Sequence, residues 1–127
     1  MWNGSVFTVV GEGGTIMTSS DGTNWSTQTI GTANYKWIAG SGSKMLATSD
    51  GNGSSAITTD GLNWSAAAAS GITNHRDLIY TNDYTFISSG QQWISGTLTP
   101  VIYATNDGAS WTGFVDSSGA TNITIQD

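Results

Sequence analysis

His75 and Asp77 stand two residues apart in His75-Arg76-Asp77, close enough for the carboxylate to orient the imidazole, the first requirement of general-base chemistry. No Ser or Cys nucleophile is assignable beside them, so the trio reads as a polar lining or a salt bridge near the centre of the fold. Two carboxylates facing one pocket would hydrolyse glycosides. Asp21, Asp60, Asp107, Asp50 and Asp83 all sit in turn sequences, however, which leaves Glu12, Asp77 and Asp116 as loosely placed candidates. Asp50-Gly51-Asn52-Gly53-Ser54 sets oxygens at alternate positions like the start of a calcium loop. That series wants Glu at position 61 and finds Gly61, so the stretch reads as a Gly-rich hairpin, and neither a metal nor a cofactor is expected. The remaining chemistry lies in Gln91-Gln92-Trp93. The indole can stack on a sugar ring or a partner side chain while the amides donate and accept; the alternative is that Trp93 folds back over the edge of its own sheet.

The chain that must position these groups has 127 residues, 37% of them hydrophobic, in a mixture rich in Trp and poor in Leu. That length and composition suit one domain with one core. Seventeen Gly, abundant Ser, Thr and Asn, and no apolar residues at helical spacing make the class all-β. Lys36, Lys44 and Arg76 are the only basic residues against nine acidic ones, so no phosphate-binding patch can be assembled and a nucleic-acid partner is excluded. Cysteine is absent, so no disulfide framework or thiolate site exists. No apolar run approaches the ~20 residues of a membrane span, so membrane insertion is not expected. Met1-Trp2-Asn3-Gly4 lacks the charged and apolar regions of a signal peptide.

The organising feature is a stretch written three times: Ser19-Ser20-Asp21-Gly22-Thr23-Asn24-Trp25, Thr58-Thr59-Asp60-Gly61-Leu62-Asn63-Trp64 and Thr105-Asn106-Asp107-Gly108-Ala109-Ser110-Trp111. The three aspartates are 39 and 47 residues apart, and the excess lies in Gln91–Pro100, which reads as a long connection between two strands. Around each stretch the pattern predicts short strands: 5–10, 15–19 and 24–29; then 35–39, 44–49, 55–59 and 63–68; then 84–89, 101–105 and 110–115. A Gly-x-x-Asn sequence (Gly31–Asn34, Gly71–Asn74, Gly119–Asn122) leads into the innermost strand of each set. Four strands per roughly 40 residues is the period of a β-propeller blade, with each Trp filling the space between blades and each Asp accepting backbone N–H groups in its turn.

These residues resemble the Asp-box, or BNR, repeat of sialidase-like propellers, over nearly the whole chain. Asp and Gly are adjacent here where that box usually places a residue between them, which is closer to the short Asp-Gly-x-x-Trp variant of many bacterial and phage propeller proteins. The resemblance implies that Asp21, Gly22, Trp25, Asp60, Gly61, Trp64, Asp107, Gly108 and Trp111 are structural. It also raises sialidase activity, which in that family is associated with an arginine cluster and a Tyr-Glu nucleophile pair. One Arg and one Glu cannot supply them, and no enzymatic activity is expected.

Matching the copies puts Phe7 on Leu46 and Met1 on Gly40, and divides the chain into repeats 1–39, 40–79 and 80–127. The first blade then lacks its innermost strand, while 122–126 is an innermost strand lacking its blade. Three blades fall short of the four to eight that make a ring. The expectation is a homodimer of six blades, or a trimer of nine, in which 122–126 completes the first blade of a neighbouring chain. The function expected is a lectin-like or protein-binding module presenting Trp93, Gln91, Gln92, His75 and Arg76, in an extracellular or virion-associated setting. The alternative is a scaffold fragment with no ligand.

Overall fold

The computed structural model describes residues 1–114 apart from Asn52, Asn82 and Tyr84, so Asp116 and the expected strand at 122–126 lie outside the described residues. Eleven strands and no helix are found among them, in three antiparallel sheets. The first holds β1 (Phe7–Val10), β2 (Thr15–Ser19) and β3 (Ser26–Thr29), in that order. The second holds β4 (Tyr35–Ser41), β5 (Lys44–Ser49), β6 (Ser55–Thr58) and β7 (Ser65–Ala67). The third runs β8 (Asn74–Tyr80), β9 (Phe86–Ile94), β10 (Thr97–Thr105) and β11 (Thr112–Phe114). Short strands of Thr, Ser, Val and Ile, separated by Gly and Asp turns, dictate this meander, because none of them carries a helical apolar face.

Each sheet buries alternate residues on opposite faces, and two apolar layers result. Ile16 of the first sheet packs with Tyr35, Met45, Ala47, Ala56 and Trp64 of the second. From its other face the second sheet sends Ala39 and Leu46 against Leu78 and Phe86 of the third, flanked by Trp37, Ile57, Tyr80 and Trp111. Each sheet therefore has a leading face, turned toward the sheet before it in the chain, and a trailing face, turned toward the next. Hydrogen bonds cross the seams as well. The Trp64 N–H donates to the Gln28 side chain at 3.0 Å, the Gln28 amide donates to the Leu62 carbonyl, and the Ala68 N–H donates to the Gly108 carbonyl at 3.0 Å.

Three expectations are revised. The stretch Gln91–Pro100 is no loop: β9 and β10 run on through it as a paired ribbon, Gln91 opposite Pro100 and Ile94 opposite Thr97, turned by Ser95-Gly96. Two strands each lengthened by a few residues absorb an insertion as well as a loop does. Second, His75-Arg76-Asp77 does not lie on a crossing segment but within β8, where the pairing with β9 shifts at Arg76. Gly90 permits this close pairing, since a Cβ there would collide with the Asn74 carbonyl and with Ile72.

The third concerns register. Phe7 lies opposite Ser19, whereas Met45 lies opposite Thr58 and Phe86 opposite Thr105. Phe7 therefore matches Met45 and not Leu46. The hairpin between β1 and β2 is one residue shorter than that between β5 and β6, and with a side-chain period of two a one-residue slip exchanges the faces. The same slip puts Trp2, which bridges to Phe7, in the place of Gly40 opposite Met45. Met1 and Trp2 thus lie along β1 on the side where β4 borders β5: the Thr8 N–H donates to the Met1 carbonyl, and the Met1 amine to the Thr8 carbonyl, each at 2.8 Å.

Candidate functional site

The three Asp-Gly turns are built alike. In the second, the N–H groups of Asp60 and Gly61 donate to Thr58 Oγ1 at 3.3 and 3.0 Å, and that hydroxyl donates to Asp60 Oδ1 at 3.0 Å. Oδ1 also accepts the N–H groups of Leu62 and Asn63, while Oδ2 accepts the Asn63 side-chain amide. The first turn repeats the set with Ser19, Asp21 and Asn24. The third repeats its backbone part with Thr105 and Asp107. Gly22, Gly61 and Gly108 take the positive φ that closes each turn. Hydrogen bonds from Asn24 and Asn63 hold the Asp21 and Asp60 carboxyls well below the usual carboxylate range, and Ser110 leads the same effect on Asp107. Carboxylates so engaged by their own turn have their acceptor sites filled locally.

The other end of the strands carries the residues of the expected site. Asp50 forms an ion pair with Lys36, which is the main cause holding its carboxyl below the usual range, so one end of the calcium-like loop is occupied by a lysine. Asn52 of that loop lies outside the described residues. Among the described residues no three His, Asp or Glu side chains converge as a metal site would. Gln91 and Gln92 sit on β9 with their side chains on opposite faces. The Gln91 carbonyl oxygen of the side chain accepts from Arg76 at 3.4 Å, and that of Gln92 accepts from the Tyr103 hydroxyl at 2.7 Å. The Gln91 backbone carbonyl accepts the Thr73 N–H, tying the approach to β8 onto β9. Trp93 follows, 62% exposed and opposite Leu98, near the tip of the ribbon. The indole is largely open to solvent.

His75 is elsewhere: fully buried beneath this rim. Its Nδ1 lies 2.6 Å from Ser88 Oγ and its Nε2 2.9 Å from Ser70 Oγ. Ser88 Oγ donates to the Asp77 backbone carbonyl at 2.9 Å, so Nδ1 carries the proton and Nε2 accepts from Ser70, whose oxygen takes the Ile72 N–H. Burial lowers the imidazole to about 4, against a smaller opposing pull from the Asp50 charge. Sequence spacing paired His75 with Asp77, but that carboxylate accepts the Leu78 N–H instead. The hydroxyl partners, five residues before His75 and thirteen after it, carry no local pattern, since one arrives through a loop and the other across the sheet. The Ser70, His75 and Ser88 side chains, all buried, form a clasp joining the loop before β8 to β9.

The structure thus brings Arg76, Gln91, Gln92 and Trp93 to one rim and places His75 under it. Tyr103 was not foreseen; its position across from Ser88, in an extended β10, is set by the ribbon. No family model and no curated protein matches the chain. Among solved structures the chain is similar to YCF48 bound to D1 peptide, a β-propeller, with a TM-score of 0.65 and 19% identity over 86% of this chain. The chain spans 36% of that structure's length. This likeness and the three packed antiparallel sheets make the fold that of a β-propeller segment.

Proposed function

We propose that the chain is a non-enzymatic propeller module that binds a protein segment or a glycan at the rim formed by Arg76, Gln91, Gln92 and Trp93, its repeats being of the short Asp-box type and its ring completed by a second copy. The observation that carries the binding site is Trp93: a large apolar side chain, 62% exposed, near the tip of the β9–β10 ribbon, on the same face as the Gln91 amide and the Arg76 guanidinium that pairs with it, with Gln92 on the opposite face. An indole held this way offers a face to a sugar ring or to an aromatic or aliphatic side chain, and the amides add direction. A solved structure to which the chain is similar, YCF48 bound to D1 peptide, holds a peptide, which favours a polypeptide over a sugar. Binding is tested by panning the protein against a peptide library and a glycan array. Trp93→Ala is expected to lower affinity for any ligand found at least tenfold while leaving the melting temperature unchanged, because the residue packs mainly against solvent. An unchanged affinity would remove the rim from consideration.

A further inference from the structure

On the reading that a second copy completes the ring, we infer which surfaces meet: the leading face of the first sheet is the seat for the trailing face of the third sheet of another copy of this chain. Phe7, Met45 and Phe86 hold one position in the three sheets, each opposite the hydroxyl residue of its own Asp-Gly turn. Met45 and Phe86 are fully covered by the sheet before them, whereas Phe7 is 39% exposed. The tryptophans follow suit: Trp64 is 6% exposed and Trp25 37%. Val9 and Trp2 extend the uncovered face, the Trp2 and Phe7 rings lying 4.4 Å apart. Single exposed apolar residues mean little, but a contiguous set at a position buried twice elsewhere in the same chain marks an interface. The inner edge shows the same incompleteness. Among the described residues Met1 and Trp2 alone border β1, whereas β4 pairs along all of β5 and β8 along Phe86–Gln91 of β9.

The choice of occupant comes from the internal seams. Ala39, Leu46 and Ile57, neighbours across β4, β5 and β6, form the surface that covers Phe86. The matching row in the third sheet is Ile79, Ile87 and Ala104, neighbours across β8, β9 and β10, with Ile79 half exposed. The same chain thus carries both halves of one repeating contact, at opposite ends of its row of sheets. A contact between unlike faces whose rotation closes produces a ring.

The test uses the full chain in sedimentation and light scattering. The wild type is expected at twice its 13.2 kDa mass. Phe7→Lys, Val9→Lys and Ile79→Lys, each checked for folding by circular dichroism, are expected to run as monomers. Mixing Phe7→Lys with Ile79→Lys is expected to restore a dimer, because one of its two contacts then joins unaltered faces. Three times the monomer mass, abolished by the same substitutions, would support the faces with a larger ring. An oligomer untouched by all three substitutions would overturn these faces and leave self-association standing. A folded wild-type monomer at every concentration would overturn self-association itself, leaving the face to further blades or another protein.

Discussion

Lowering the pH from 7 to 4 titrates His75 under conditions where its proton has nowhere favourable to go. The imidazole is buried, takes a hydrogen bond from Ser70 at Nε2, and has its affinity for a proton lowered from the ordinary 6.5 to about 4. Between those values the unfolded chain binds a proton that the folded chain refuses, so stability falls as the pH drops through this window. It is unaffected above about 6.5, and the penalty is complete near 4. The difference corresponds to about 3 kcal/mol, with a slope of at most about 1.4 kcal/mol per pH unit. For a small domain holding roughly 5–15 kcal/mol in all, that is a large share. His75 is the only histidine in the chain, so the assignment is unambiguous. Urea unfolding followed by tryptophan fluorescence at a series of pH values, in the Val9→Lys background, gives the curve; the histidine proton resonance gives the midpoint. The carboxyls of the Asp-Gly turns, with those of Asp50 and Asp83, are also held low and begin to cost stability below about pH 5, so the histidine contribution is read from the fall between about 5 and 6.5. A midpoint near 6.5, or a stability flat between about pH 5 and 6.5, would refute the clasp.

The remaining predictions compare equivalent positions. Trp64→Ala should destabilise the fold by about 3–5 kcal/mol in chemical denaturation, because the indole fills the seam between two sheets. Trp25→Ala, in a monomeric background, should cost under about 1 kcal/mol, since no sheet covers it there; equal costs would show that the turns and not the seams set the value of these tryptophans. Asp60→Ala should lower the melting temperature, and Asp60→Asn should recover part of the loss, because an amide oxygen can still accept the Leu62 and Asn63 N–H groups. No difference between the two variants would argue that the carboxylate is not the organiser of its turn.

How far the fold could be read in advance depended on the range of the forces involved. The Asp-Gly turns close their hydrogen bonds within three residues of the aspartate, so a motif of seven letters contains the whole interaction and its repetition announces the number of sheets. Alternating apolar residues and the lack of a helical stripe likewise decide the class, because strand periodicity is a property of neighbours in the chain. Trp93 and its two glutamines were visible as an oddity of spacing. Their setting was not: whether Gln91–Pro100 forms a loop or a ribbon turns on cross-strand pairs, Gln91 with Pro100 and Trp93 with Leu98, that exist only after β9 and β10 meet. His75 shows the same limit. Its nearest titratable neighbour in the chain is not its partner, and two serines that no pattern marks bury it and fix its proton. The decisive case is Phe7. Matching letters placed it on Leu46, but a hairpin shorter by one residue moves it to the position of Met45, and with it the choice of covered or open face. Hydrophobicity along a strand specifies that one side must be hidden; only the packed sheets decide which side, and against what.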